Sequence, residues 1–248
     1  MKIQLIGTSG SSITANRTST AILIDDDLLI DVGEGTTQKL LKIGAFNKVR
    51  TILISHLHVD HFMGIFTFLW KKWLSNDSNP LTIYGPPKIQ ATIERIFELT
   101  SSPVDLFPFE IQYKPLDPGE SIKKVGEITT TRVQHPVYTL AYRIDRDKSI
   151  CFSSDTAPLE RMVTLAKGCD LLIHDCSMPN KMAELAHSWT HSTPKDAAEI
   201  ATKAGVKKLV VFHILGELED QMAQFKQDAQ DFFEGEVILA EDMKKIKI

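Results

Sequence analysis

Ser55-His56-Leu57-His58-Val59-Asp60-His61 places three imidazoles and one carboxylate within the six positions from 56 to 61. Just before it, Thr51–Ser55 is a short apolar run that reads as a buried strand. Just after it, Phe62, Phe66, Leu69, Trp70 and Trp73 recur at helical spacing over Phe62–Leu74. The cluster therefore falls in a strand-to-helix turn. His56 and His58 are two apart, and at a strand end that spacing points both rings the same way. Asp60 and His61 enter the helix, where another direction is natural, so they suit a second ion. Neutral imidazole nitrogen and carboxylate oxygen are donors for zinc and similar ions. Surface or N-capping histidines are the ordinary alternative, and the density of this cluster speaks against it.

One cluster cannot complete two sites, so further donors must come from distant strand ends. His135 ends the β-like run Ile128–Gln134, Asp155 follows Ile150–Ser153, and His213 follows Lys208–Phe212. Taken singly, each has a plain role: a strand-end histidine, a helix N-cap, a turn histidine. With the first cluster they make a full set. Of eight histidines this leaves His174, His187 and His191. Strands are also expected at Lys2–Gly7, Thr20–Asp25, Leu28–Asp31, Leu81–Tyr84, Leu140–Ile144, Leu171–His174 and Val237–Leu239. Helices are expected from Gly85-Pro86-Pro87 to Leu99, over Pro158–Ala166, over Pro194–Ala204 between Thr193 and Gly205, and over Glu217–Phe232. Strands and helices alternating over two similar halves predict two sheets face to face with helices outside, in a single domain over 1–248.

The composition narrows the partners. A net charge of −4 offers no basic excess to attract a polyanion at long range. Cys151, Cys169 and Cys176 are odd in number and lack Cys-x-x-Cys spacing, which suits a reducing compartment. The longest apolar run, Phe62–Trp70, is cut by Lys71-Lys72 and is too short to cross a bilayer. A cytoplasmic protein with no membrane partner is the expectation. Gly7–Ser12 lacks Gly-Lys-Ser/Thr and reads as a turn rather than a nucleotide-binding loop. Asp31 is either an orienting partner of a ligand histidine or an ordinary hairpin-end residue. Phe66, Trp70 and Trp73 read as core packing. Phe107, Pro108 and Phe109 are candidates for a pocket wall.

His-x-His-x-Asp-His followed by His, Asp and His at later strand ends resembles the metallo-β-lactamase-fold superfamily over essentially the whole chain. The resemblance implies a four-layered αββα sandwich of the α/β class and a two-metal site. By it, His56, His58 and His135 hold one ion, Asp60, His61 and His213 hold the other, and Asp155 bridges them. Two divalent cations are implied, with Zn2+ expected and Mn2+ or Fe accepted by the same donors.

Three segments resemble the ribonuclease Z-like phosphodiesterase branch: Gly7-Thr8-Ser9-Gly10 with Asn16-Arg17-Thr18-Ser19, Leu29-Ile30-Asp31-Val32-Gly33-Glu34-Gly35, and Leu172-Ile173-His174-Asp175 with His191-Ser192-Thr193. Gln134-His135-Pro136-Val137 does not match the Thr-Pro-Gly-His segment of the lactamase and glyoxalase branches. Asp175-Cys176-Ser177 also resembles cyclic phosphodiesterases of phosphonate breakdown. By resemblance, Asp60, His191 and Asp175 carry the reaction, with Asp175 orienting His191 towards the leaving group, although the branch more often has Glu at the position of Asp175. The tRNA-gripping arm of the tRNA 3′-processing enzymes lies between the third His and the bridging Asp. Here that interval is only Pro136–Ser154. The expectation is therefore a phosphodiesterase acting on a small or cyclic phosphodiester, with nucleic acid less favoured. The alternatives are a ribonuclease Z-type tRNA 3′-processing endonuclease, or a lactone, thioester or arylsulfate hydrolase. A non-catalytic metal-binding module is a further class, which the intact donor set opposes. Homodimers are common in the resembled family, but no interface is legible here.

Overall fold

The computed structural model describes residues 1–248. Strands β1 (Lys2–Gly7), β2 (Ala21–Ile24), β3 (Leu28–Ile30), β4 (Thr51–Leu53), β5 (Leu81–Gly85) and β6 (Ile111–Pro115) form one sheet. Strands β7 (Lys123–Val125), β8 (Ile128–Arg132), β9 (Leu140–Asp145), β10 (Ser149–Phe152), β11 (Leu171–Asp175), β12 (Lys208–Phe212) and β13 (Glu236–Leu239) form the other. The last strand, β14 (Lys245–Lys247), returns to the first sheet and pairs antiparallel with β1. The helices are α1 (Thr36–Lys42), α2 (Val59–Phe62), α3 (Gly64–Leu74), α4 (Ile89–Leu99), α5 (Glu160–Ala166), α6 (Ala183–Ser188), α7 (Pro194–Ala204) and α8 (Met222–Gln230).

Strand periodicity explains the layering. Along β2, Ala21 and Leu23 pack with the first helical layer, whereas Ile22 and Ile24 face the second sheet. Along β12, Leu209 and Val211 pack under α7 and α8, whereas Val210 and Phe212 face the first sheet. Both faces of β2 and of β12 are buried, so these two strands read as continuous apolar runs. The central core joins Leu5, Ile30 and Leu53 to Tyr142, Phe152 and Ile173. Each such aliphatic side chain contributes about 1.5–3 kcal/mol by leaving water. The result is helix, sheet, sheet, helix, as expected.

In the first sheet β3 to β6 run parallel, and in the second β10 to β13 do. Parallel neighbours need crossovers, which the helices supply. The C-terminal ends of β3, β4, β10, β11 and β12 are consequently followed by Asp31, the 55–61 turn, Asp155, Asp175 itself and His213. Two bonds tie the sheets beside that turn: Tyr142 Oη donates to Ile54 O at 2.7 Å, and Leu140 N donates to Ser55 O at 3.0 Å.

Some expectations shift. The helix after the histidine cluster starts earlier, at Val59, with Gly64 opening a second segment. A Cβ at Gly64 would lie 2.1 Å from Gly33 O, so only glycine lets this helix approach the strand-end backbone. Trp70 is 41% exposed, so it is not core, whereas Phe66 and Trp73 pack against the first helical layer. Phe107 stacks on Trp73 and Phe109 and meets Phe97 edge-on, so these residues pack beneath α3 and α4 rather than line the histidine pocket. The expected helix Glu217–Phe232 starts with a 3₁₀ segment, Gly216–Gln221. No helix is long and apolar enough to cross a membrane.

Candidate metal centre

All seven residues expected as ligands converge. His56, His58, His135 and Asp155 each offer one donor atom within 4.8 Å of the others, and so do Asp60, His61, Asp155 and His213. In the first group His58 Nδ1 lies 3.2 Å from His135 Nε2, while Asp155 Oδ2 lies 3.7 Å from His56 Nε2 and 3.9 Å from His135 Nε2. In the second, Asp155 Oδ1 lies 3.2 Å from His61 Nε2 and 3.3 Å from His213 Nε2. Asp60 Oδ2 lies 3.4 Å and 3.3 Å from the same two nitrogens. The two oxygens of Asp155 thus face different groups.

The far side of most rings is held by a hydrogen bond, which sets the tautomer and aims the other nitrogen inward. His61 Nδ1–H donates to Asp31 Oδ2 at 2.7 Å, and Asp31 also accepts from Ser55 N and Ser55 Oγ, both at 2.7 Å. The orienting role considered for Asp31 is therefore the one its contacts fit. His56 Nδ1 is 3.0 Å from Ser55 Oγ. His135 Nδ1 is 3.1 Å from Thr190 Oγ1. His213 Nδ1–H donates to Ser177 Oγ at 3.1 Å, and Ser177 in turn donates to Asp175 Oδ1 at 2.6 Å. The orienting roles of Ser55, Ser177 and Thr190 are not among the expectations from sequence, where their only mark is standing within two residues of His56, Asp175 and His191.

The electrostatics match a cation cradle. Burial pushes His56 well below the usual histidine range and His135 down to about 4, leaving both rings neutral and able to donate a lone pair. Burial also works to lower His213, but Asp155, with Asp175 and Asp60, overrides it and pushes that ring up to about 10. A buried proton there sits where carboxylates demand positive charge. His56 Nε2 and Asp155 Oδ1 are buried without any hydrogen-bond partner. Orphaned polar atoms of this kind are costly unless something binds them. A divalent cation fits these donors in number and in chemistry.

Asp175, His191 and His213 form a third close group. Its atoms are already satisfied. Asp175 Oδ2 accepts from His191 Nδ1–H at 2.8 Å and from the backbone N–H groups of Thr156 and Ser192, so this is a hydrogen-bonded network. Burial lowers the His191 pKa, but Asp175 outweighs it and raises it, keeping the ring protonated to higher pH. His191 stands beside both donor groups, with ring centroids 5.2 Å from His135 and 5.6 Å from His213.

Backbone shape delivers these side chains. Asp31, Ser154 and His213 follow strand ends with φ of 56°, 56° and 62°. Non-glycine residues in this left-handed region cost about 1–3 kcal/mol, strain that clusters at functional sites. Thr190 is another, with φ 59°. It closes α6: Thr190 N donates to His187 O and His191 N to Ala186 O, the paired bonds of a left-handed helix cap. Glycine is usual there, whereas this threonine also meets His135. After it, Thr193 caps α7 reciprocally with Asp196, and Gly205 ends that helix at φ 66°.

This fold and donor set define a metal-dependent hydrolase of the metallo-β-lactamase fold. A family model described as "Beta-lactamase superfamily domain" matches residues 27–214, and the chain belongs to that family. It is 29% identical to "Ribonuclease Z" of Methanosarcina acetivorans, with 100% of this chain and 98% of the relative covered. That alignment spans 304 positions against 248 residues here, so the relative contains segments without a counterpart in this chain. Among solved structures, human tRNase Z, short form, superposes with a TM-score of 0.82 at 26% identity, over 100% of this chain and 99% of that one. The metallo-β-lactamase fold protein YhfI from Bacillus subtilis superposes with a TM-score of 0.81 at 25% identity, over 99% and 98%.

Proposed function

We propose that the chain is a metal-dependent phosphodiesterase of the ribonuclease Z type, cleaving RNA. The observation that carries this reading is two donor groups sharing the carboxylate of Asp155 beside an Asp175–His191 pair. His56, His58 and His135 would hold one cation, Asp60, His61 and His213 the other, and Asp155 both. Zinc is the cation inferred from the imidazole-rich set, and manganese or iron suits the same donors. Bound divalent cations supply water acidified towards neutrality and positive charge for the phosphoryl oxygens. His191, protonated and held by Asp175, donates its Nε2 proton to the departing oxygen. Asp175 accepts from His191 Nδ1–H and so leaves the Nε2 proton as the one to be given up, while Asp31, Ser55, Thr190 and Ser177 hold the candidate ligand rings in place.

The ribonuclease Z names and near-complete coverage of the relatives favour RNA over the small phosphodiester expected from the sequence. A small or cyclic phosphodiester is the second reading. It is favoured by the short Pro136–Ser154 interval, whose only strands are β9 and β10, paired as a hairpin.

The test is a cleavage screen of the purified protein, with metal content measured on the same sample. Substrates are a 3′-extended tRNA precursor, cyclic and linear nucleotide diesters, bis-p-nitrophenyl phosphate and an acyl lactone. Endonucleolytic cleavage of the precursor is expected. Hydrolysis of small diesters without RNA cleavage would move the assignment to the second reading. Lactone hydrolysis alone by metal-loaded protein would remove phosphodiester chemistry altogether.

A further inference from the structure

We infer that Trp189 is the platform on which the base beside the scissile phosphodiester stacks, an inference that rests on the RNA reading above. Trp189 ends α6, one residue before Thr190, which bonds His135, and two before His191. Its backbone is fixed: Trp189 N donates to Leu185 O, and Thr190 Oγ1 donates to Trp189 O at 2.6 Å. Trp189 is nevertheless 55% exposed. No aromatic ring of the chain stacks on it, in contrast to Trp70, which meets Trp73 edge-on at 5.0 Å. Val59, 72% exposed, lies between His58 and Asp60 in the histidine cluster. Exposed apolar residues thus stand next to His58 and two positions before His191 in the chain.

An exposed aromatic side chain on a fixed backbone, next to the Thr190–His135 contact of the candidate metal centre, suits a planar base. Stacking tolerates any base because every base has a π-face. Stacking also adds affinity that needs no basic excess, which a chain of net charge −4 lacks. The contact lies outside the bond-breaking machinery, so it sets affinity and register rather than the rate of the chemical step.

The experiment uses full-length, metal-loaded protein, its W189A and W189F variants, and RNA oligonucleotides with either normal or abasic residues flanking the cleavage site. W189A is expected to raise KM about 5- to 100-fold, the loss usual for one stacked base, with kcat nearly unchanged. W189F should recover most of the loss. On the abasic oligonucleotide, wild type and W189A should become alike. Equal KM for wild type and W189A on normal RNA would overturn the inference, as would a W189A loss of the same size on the abasic oligonucleotide. Indole fluorescence, compared between wild type and W189F during RNA titration, separates the two failures. Quenching that needs Trp189 in a protein that cleaves no RNA rejects the ribonuclease reading and keeps the platform. RNA cleavage without such quenching rejects the platform and keeps the ribonuclease. Absence of both rejects both.

Discussion

His191 and Asp175 are where a single atom decides the outcome. His191→Ala removes the proposed proton donor but none of the seven candidate ligands, so kcat should fall about 10²- to 10⁴-fold with metal content unchanged. Loss of metal in that variant would show His191 to be a ligand instead. Asp170 offers a cleaner test of charge because it lies away from the pocket. Its carboxylate accepts from Lys207 Nζ at 2.6 Å and Ser149 N at 3.0 Å, and the Lys207 bond leads the causes that lower it from 3.8 to about 2. A depressed carboxylate stabilises the fold above its unfolded pKa, and that contribution disappears as pH falls through the folded one. Asp170→Asn should therefore reduce stability at neutral pH and flatten the loss between pH 3.8 and about 2, as read by denaturant melts across that window. The candidate ligands were legible in the sequence because clustered His and Asp residues have few structural uses. Ser177 and Thr190 were not, since serine and threonine occur everywhere and their importance here depends on reaching a ring 36 or 55 residues away.

The end of α6 shows a conflict between an element's own preferences and the site it serves. Thr190→Gly relieves left-handed strain, yet it deletes the hydroxyl that meets His135 Nδ1. The variant should melt no lower than the parent, while metal affinity falls about 10- to 100-fold, the usual effect of losing a ligand's orienting partner. A fall in melting temperature with intact metal affinity would contradict this account. Elements were readable where burial imposed a pattern. β12 and α7 appear at their expected bounds, because Leu209 to Phe212 are buried on both faces and Thr193 and Gly205 punctuate the helix. β6, β7 and β14 escaped notice, since β6 is only partly buried and the lysine-bearing β7 and β14 are mostly exposed. α1, reading Thr-Thr-Gln-Lys-Leu-Leu-Lys, buries only Thr36 and Leu40 and shows no clear period.

Across the whole molecule, the candidate donors are divided between the sheets. The 56–61 turn belongs to the first, whereas His135, Asp155 and His213 belong to the second. Cations bound between them would pin the two layers together. Chelation should lower the melting temperature, and added metal at about 100 times its Kd should restore about 2.7 kcal/mol, or roughly 5–10 °C. A melting temperature indifferent to chelator would mean that the layers need no such pin. The same division has a use in protein engineering. Gly119 lies in the link between β6 and β7, with a positive φ and open space around its Cα. Expressed as separate fragments broken there, the N-terminal piece would lack its edge partner β14, and each piece would carry an incomplete set of donors. Reassembly should then follow the free divalent cation, so a split version of this chain would act as a reporter that switches on with metal supply and off with its withdrawal.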